Sequence, residues 1–225
     1  MPSAGVALER QVTLRATGVT LEGTLGVPAD ARGVVLFAHG SGSSRFSPRN
    51  RYVAQVLRDA GLATLLVDLL SPGEEEVDLV TRHLRFDIGL LAERLVEGID
   101  WLGREPDTRS LRVGLFGAST GGGAALVAAA RHPDAVGAVV SRGGRPDLAG
   151  EALPQVGAPM LLIVGGNDHD VIELNRQAMR QMRAEARLEI VPGAGHLFEE
   201  PGTLERVAAL ARDWFLRRLA PVDEA

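Results

Sequence analysis

The sequence predicts an α/β protein: a mostly parallel, eight-stranded sheet that opens with an antiparallel hairpin and carries helices on both faces. Three observations lead there. Short continuous apolar runs, the pattern of strands buried on both faces, recur along the chain. Stretches with apolar residues at helical spacing stand between them, so strands and helices alternate to the end. The 225 residues, 45% hydrophobic and 24% charged, suit one domain over residues 1–225 with a sizeable core.

Each element has its own signal. Val12, Leu14, Leu21 and Leu25 alternate on either side of Gly18, which reads as a hairpin over Gln11 to Val27 with one wet face. Gly33 to His39 is a buried strand that runs into a loop of small residues, Gly40-Ser41-Gly42-Ser43-Ser44. Ser47-Pro48 is an N-cap and first-turn pair for a helix carrying Val53, Val56, Leu57 and Ala60, which Gly61 stops. Leu62 to Val67 is the next strand, and the acidic stretch Ser71 to Glu76 reads as a solvated loop. From His83, the spacing of Leu84, Ile88, Leu91, Leu95, Ile99 and Leu102 predicts one long helix to about Gly103. Strands follow at Leu111 to Phe116, Val136 to Ser141, Pro159 to Val164 and Leu188 to Val191. Helices are predicted over Ala124 to Arg131, through Val171 to Met182, and over Thr203 to Leu219 with Trp214 inward.

Composition removes several classes of function. A net charge of −5 offers no field for a phosphate backbone, so no nucleic-acid partner is expected. All 24 basic residues are arginine, which excludes a Schiff-base lysine and a phosphate-loop lysine. There is no cysteine, hence no disulfide, thiolate metal site or cysteine nucleophile. Met1 to Gln11 lacks the pattern of a secretory signal, and the longest apolar stretch, Gly61 to Leu70, is interrupted by Asp68. A cytoplasmic protein without a membrane partner is expected, as a monomer or homodimer, with no cofactor and no metal.

In a parallel sheet of this kind the reactive groups collect beyond the carboxyl ends of the strands. Gly117-Ala118-Ser119-Thr120-Gly121 stands at such an end and matches the G-x-S-x-G nucleophile elbow, a strand, a sharp turn and a helix with the serine at the tip. The pentapeptide is short enough to arise by chance. Two further residues at the same edge give it meaning: Asp168 follows the strand ending at Val164, and His196 follows the one ending at Val191. Serine, acid and histidine in that order is the chain order of α/β-hydrolase triads. Asp170 and Asp147 are alternative acids. His39 reads as a ring that shapes the loop after it, and His83 and His132 as surface or cap residues. His169 between two aspartates lacks the spacing of a metal site.

On these residues the chain resembles the α/β-hydrolase superfamily and, within it, the dienelactone-hydrolase-like group. The resemblance covers nearly the whole chain: His39-Gly40-Ser41-Gly42, the elbow at Gly117 to Gly121, Asp168 with Val171, and His196 with Leu197-Phe198. It implies an α/β-hydrolase fold and favours Asp168 as the acid, through the Asp-x-x-Val spacing. It places the oxyanion donors on the backbone N–H groups of Ser41 and Thr120. The dienelactone hydrolases proper use a cysteine nucleophile, whereas this chain offers a serine, which fits a general ester hydrolase.

The expected function is therefore a serine hydrolase cleaving carboxylic esters through an acyl-enzyme, with Ser119 as nucleophile, His196 as base then acid, and Asp168 orienting it. Ser141 to Ala158 leaves no room for a large cap domain, which points to an open pocket and a small-molecule ester of short acyl chain. Arg45, Arg142 and Arg145 lie in loops at the reactive edge, as candidates to pair with a substrate carboxylate. Thioester, lactone or amide hydrolysis, or acyl transfer, would use the same triad. A non-catalytic binding protein on the same fold is the reading from another class.

Overall fold

In the computed structural model, residues 8–219 are described. The first hairpin pairs β1 (Leu8–Ala16) with β2 (Val19–Val27) around Gly18, whose φ of 77° is the left-handed turn conformation that glycine adopts without cost. Six more strands follow: β3 (Val34–Ala38), β4 (Ala63–Val67), β5 (Val113–Ala118), β6 (Val136–Arg142), β7 (Met160–Gly165) and β8 (Ala186–Val191). The sheet order is β1-β2-β4-β3-β5-β6-β7-β8, with β1, β2 and β4 joined antiparallel and every other pair parallel. All eight predicted strands are present.

The apolar runs serve two faces at once. In β3, Val34, Leu36 and Ala38 join the core beneath α3 (Ile88–Leu102) and α4 (Thr120–Arg131), while Val35 and Phe37 join the core beneath α1 (Pro48–Asp59) and α6 (Thr203–Leu219). This is why the strand reads as continuous hydrophobicity rather than alternation. Phe37 and Phe116 meet at 4.9 Å between ring centroids on the α1 and α6 side. Trp214 faces inward from α6 as expected, 2% exposed. No helix among the described residues is long and apolar enough to cross a membrane.

Two elements differ from expectation. Residues expected to form a solvated loop belong to α2 (Pro72–Thr81), which starts with a full capping box: Ser71 Oγ accepts the Glu74 N–H, and the Glu74 carboxylate accepts the Ser71 N–H. The helix buries only Asp78 and turns Val77, Leu79 and Val80 to solvent, so no inward apolar stripe announces it. The long helix expected from His83 is divided. Leu84–Phe86 is a 3₁₀ turn, and α3 starts after Asp87, whose carboxylate accepts the Leu90 N–H. Where a large cap was not expected, Pro146–Gln155 forms two short 3₁₀ turns broken at Gly150. The remaining helix, α5 (His169–Met179), follows β7 and stops short of Met182.

Candidate active site

Ser119 sits between β5 and α4 with φ 51° and ψ −122°, a conformation that side chains other than glycine rarely adopt. Three backbone hydrogen bonds hold it there. The Ser119 N–H donates to the Arg142 carbonyl at 3.2 Å, and the Ser119 carbonyl accepts from Gly122 at 2.9 Å and Arg145 at 3.1 Å. The two motif glycines are required by contact. A Cβ at Gly117 would lie 2.5 Å from the Gly121 carbonyl oxygen, and one at Gly121 would lie 2.4 Å from that of Ala38.

Asp168 and His196 are positioned by a second set of close approaches. A Cβ at Gly165 would meet the Ala194 and Gly195 carbonyls at 2.4 and 2.5 Å, so the turn after β7 lies flat against the turn after β8. Backbone bonds stitch the two turns, from Gly166 to Val191 at 2.8 Å and from Asn167 to Ala194 at 2.9 Å. The Asn167 side-chain amide adds one to the Gly193 carbonyl at 3.0 Å, and the Glu200 carboxylate accepts the Gly195 N–H at 3.0 Å. Asp168 stands at the N-cap of α5 yet makes no capping bond with its side chain. Its Oδ2 instead lies 2.6 Å from His196 Nδ1, and His196 Nε2 lies 3.4 Å from Ser119 Oγ. A proton on Nδ1, donated to Asp168, leaves Nε2 as the acceptor facing the serine.

The structure thus brings Ser119, His196 and Asp168 together in one chain of contacts. Asp147, an alternative acid, is spent on Arg145, which grips it through Nε and Nη2 at 2.8 and 2.7 Å. Thr120 is the first residue of α4, where the helix leaves N–H groups without an internal partner. Ser41 lies in the loop after β3, and that loop is pressed onto Ser119: a Cβ at Gly40 would be 3.3 Å from Ser119 Cβ. His39 fixes the loop. Its Nε2 accepts the Leu69 N–H at 3.0 Å, so its Nδ1 carries the proton and donates to the Gly40 carbonyl at 2.9 Å. Burial holds this imidazole below its ordinary pKa, against the pull of that carbonyl and of Asp68. A small cavity opens beside the loop, bounded by Leu70, Asp78, Arg85 and Leu91.

The three candidate arginines part company. Arg45 is committed to Glu22 and Asp68 and stacks on Phe46, and Arg145 is committed to Asp147, so the guanidinium groups of both are spent on the protein's own carboxylates. Arg142 is buried at the end of β6, with a single 3.4 Å bond to Asn50 Oδ1. Burial, and then the like charge of Arg49, push its pKa down to about 10.

Sequence reasoning missed Asn175 and Arg85. Asn175, fully buried in α5, donates to the Gly144 carbonyl at 3.1 Å and to that of Val171 at 2.8 Å. It thereby ties the helix behind Asp168 to the loop behind Ser119. Arg85 is clamped on Asp78 and reaches Gly42, next to Ser41. Neither belongs to a local motif, since each acts on a segment distant in sequence.

Comparison with known proteins bears on this arrangement. The model of the Dienelactone hydrolase family matches residues 21–219. The crystal structure of a dienelactone hydrolase from Anabaena variabilis is 64% identical, covering 95% of this chain and 99% of its own, with a TM-score of 0.93. Est1E from Butyrivibrio proteoclasticus shares the fold at 17% identity, over 92% of this chain and 98% of its own, with a TM-score of 0.76. Two Mycobacterium tuberculosis proteins, each named "Putative phosphoribosyl transferase", are 59% identical over 211 residues, 94% of this chain but 47% of theirs. The chain therefore spans about half the length of these relatives.

Proposed function

This chain belongs to the dienelactone hydrolase family, and from that premise we propose that it is a serine hydrolase cleaving carboxylic esters of small or short-chain acids through an acyl-enzyme. The observation that carries the reading is the contact chain from Ser119 Oγ to His196 Nε2 at 3.4 Å and from His196 Nδ1 to Asp168 at 2.6 Å. A serine hydroxyl is a weak nucleophile until a base takes its proton. His196 accepts that proton as Oγ attacks the ester carbonyl, and Asp168 stabilises the imidazolium that forms. The carbonyl oxygen becomes an oxyanion, which receives the N–H groups of Ser41 and Thr120. Collapse of the tetrahedral intermediate expels the alkoxide, which takes the proton from His196 Nε2. Water then repeats the sequence on the acyl-enzyme and releases the acid.

The same machinery serves thioesters, lactones, amides and acyl transfer, since fold and triad do not fix the acyl donor. Ester cleavage is preferred because, among the described residues, no large cap closes the site, and a serine stands where the dienelactone hydrolases proper carry a cysteine. The name carried by the mycobacterial relatives belongs to proteins about twice as long, and a Ser–His–Asp chain is apparatus for acyl rather than glycosyl transfer.

A fluorophosphonate probe followed by an ester chain-length series tests the proposal. Labelling at Ser119 and a fall in kcat/KM from acetyl to long acyl esters are expected. Ser119→Ala should lose labelling and about 10⁴-fold or more of kcat while melting as the parent does. Full activity in that variant would overturn the assignment.

A further inference from the structure

The loop after β3 is fastened at both ends to one pair of residues, Asp68 and Leu69, which follow β4. At the near end, His39 Nε2 accepts the Leu69 N–H at 3.0 Å. At the far end, Asp68 Oδ1 accepts the Arg45 N–H at 2.6 Å, and Asp68 Oδ2 pairs with the Arg45 guanidinium. The pair is itself braced. Leu69 is buried in the core beneath α3 and α4. The Glu22 carbonyl accepts the Asp68 N–H at 2.9 Å, one step beyond the β2–β4 ladder, and the Glu22 carboxylate takes Arg45 Nη2 at 2.6 Å. Between the two fastenings the backbone folds on itself, with the Ser43 N–H on the Gly40 carbonyl at 3.2 Å and Gly42 at φ 70°. Ser41 lies inside that turn, and its N–H meets no backbone acceptor among the described residues.

Charge makes the far fastening unusual. Asp68 and Ser41 border the same cavity. A bare carboxylate on that wall would oppose a second negative charge forming on a substrate oxygen. Arg45 cancels it, with a side chain only 12% exposed and a guanidinium carbon 4.2 Å from the Phe46 ring. A hydrogen-bond donor aids an oxyanion most when it is fixed before the charge develops, so that nothing has to reorganise. We propose that Asp68 is a positioning residue for the reaction: through Arg45 at one end of the loop, and Leu69 and His39 at the other, it holds the Ser41 N–H for the oxyanion. The role rests on Ser119 being the nucleophile and Ser41 an oxyanion donor, and it gives Arg45 to the loop instead of to a substrate carboxylate.

The test compares the wild type with Asp68→Ala, Asp68→Asn, Arg45→Gln and the double variant Asp68→Asn/Arg45→Gln. Ser119 is titrated to completion with the fluorophosphonate probe, so that rates are counted per working site. With phenyl acetate, Asp68→Ala is expected to lose about 10²-fold of kcat at nearly constant KM, the loss that accompanies one misplaced oxyanion donor. Inhibition by trifluoroacetone, whose adduct with Ser119 carries an oxyanion, should weaken by a similar factor. Asp68→Asn keeps an oxygen for the Arg45 N–H and should recover most of the loss. Arg45→Gln leaves the carboxylate bare and should be slower than Asp68→Asn, and removing that charge in the double variant should restore part of the rate. Should Asp68→Ala not fold, Arg45→Gln set against the double variant carries the same comparison. A loss seen only as fewer titrated sites or a lower melting temperature, with kcat per site and trifluoroacetone inhibition unchanged, overturns the role and leaves the hydrolase reading standing. A wild type that the probe does not label at Ser119 overturns both together.

Discussion

A single added methyl group tests how the elbow is built. Gly121→Ala would drive a Cβ to 2.4 Å from one backbone oxygen and 2.5 Å from another, neither of which can swing aside as a side chain would. We expect a loss of about 3 kcal/mol or more in urea unfolding, or no soluble protein. Gly157→Ala, where nothing lies within 4 Å, should be neutral or stabilise by about 0.4–1 kcal/mol in the same assay. The G-x-S-x-G spacing reveals Gly117 and Gly121 because their obstacles are local or lie on the neighbouring strand. It is silent on Gly165, whose close contacts come from the turn after β8. Asn175 is hidden for the same reason. Asn175→Ala should cost about 1–3 kcal/mol, by leaving the buried Gly144 carbonyl without its donor, and should lower kcat more than it raises KM.

At the scale of elements, strands were legible and α2 was not. A strand buried on both faces declares itself as an apolar run, as β3 to β7 did, whereas β1 and β2 showed the alternation of one wet face. Helix α2 buries one aspartate, so its pattern looks like solvent-facing sequence. The signal it did carry was Ser71-Pro72-Gly73-Glu74, a capping box with proline in the first turn. Helix α3 was found but begun too early, because Leu84 keeps the helical spacing while Asp87 supplies the cap. A helix held by polar contacts alone should open readily. Amides of residues 72–81 are expected to exchange with deuterium well before those of 120–131, and Glu74→Ala should widen the gap through loss of the Arg94 pair and of the carboxylate that accepts the Ser71 N–H.

For the whole molecule, His39 couples the loop after β3 to pH. Its folded pKa lies below the ordinary imidazole value of 6.5, so the unfolded chain binds the extra proton first. Stability from this group is complete above about pH 6.5 and falls as the pH drops toward the folded pKa. Urea midpoints from pH 7 to 5 should decline in the wild type and decline less steeply in His39→Gln. The sheet edges are polar in keeping with their exposure: β1 carries Glu9, Arg10, Gln11, Thr13 and Arg15, and β8 carries Arg187 and Glu189.

The position of β8 has a further consequence. Ser119 grows from β5, buried along its whole length with a strand on either side, whereas His196 hangs from β8, which among the described residues pairs only with β7 and buries only Val191. Cooperative units at a margin open before the centre does. Inactivation should therefore run ahead of denaturation: in mild urea, turnover is lost while circular dichroism still reports native helix, and dilution restores it at once. Such a hydrolase would wear out from its histidine inward.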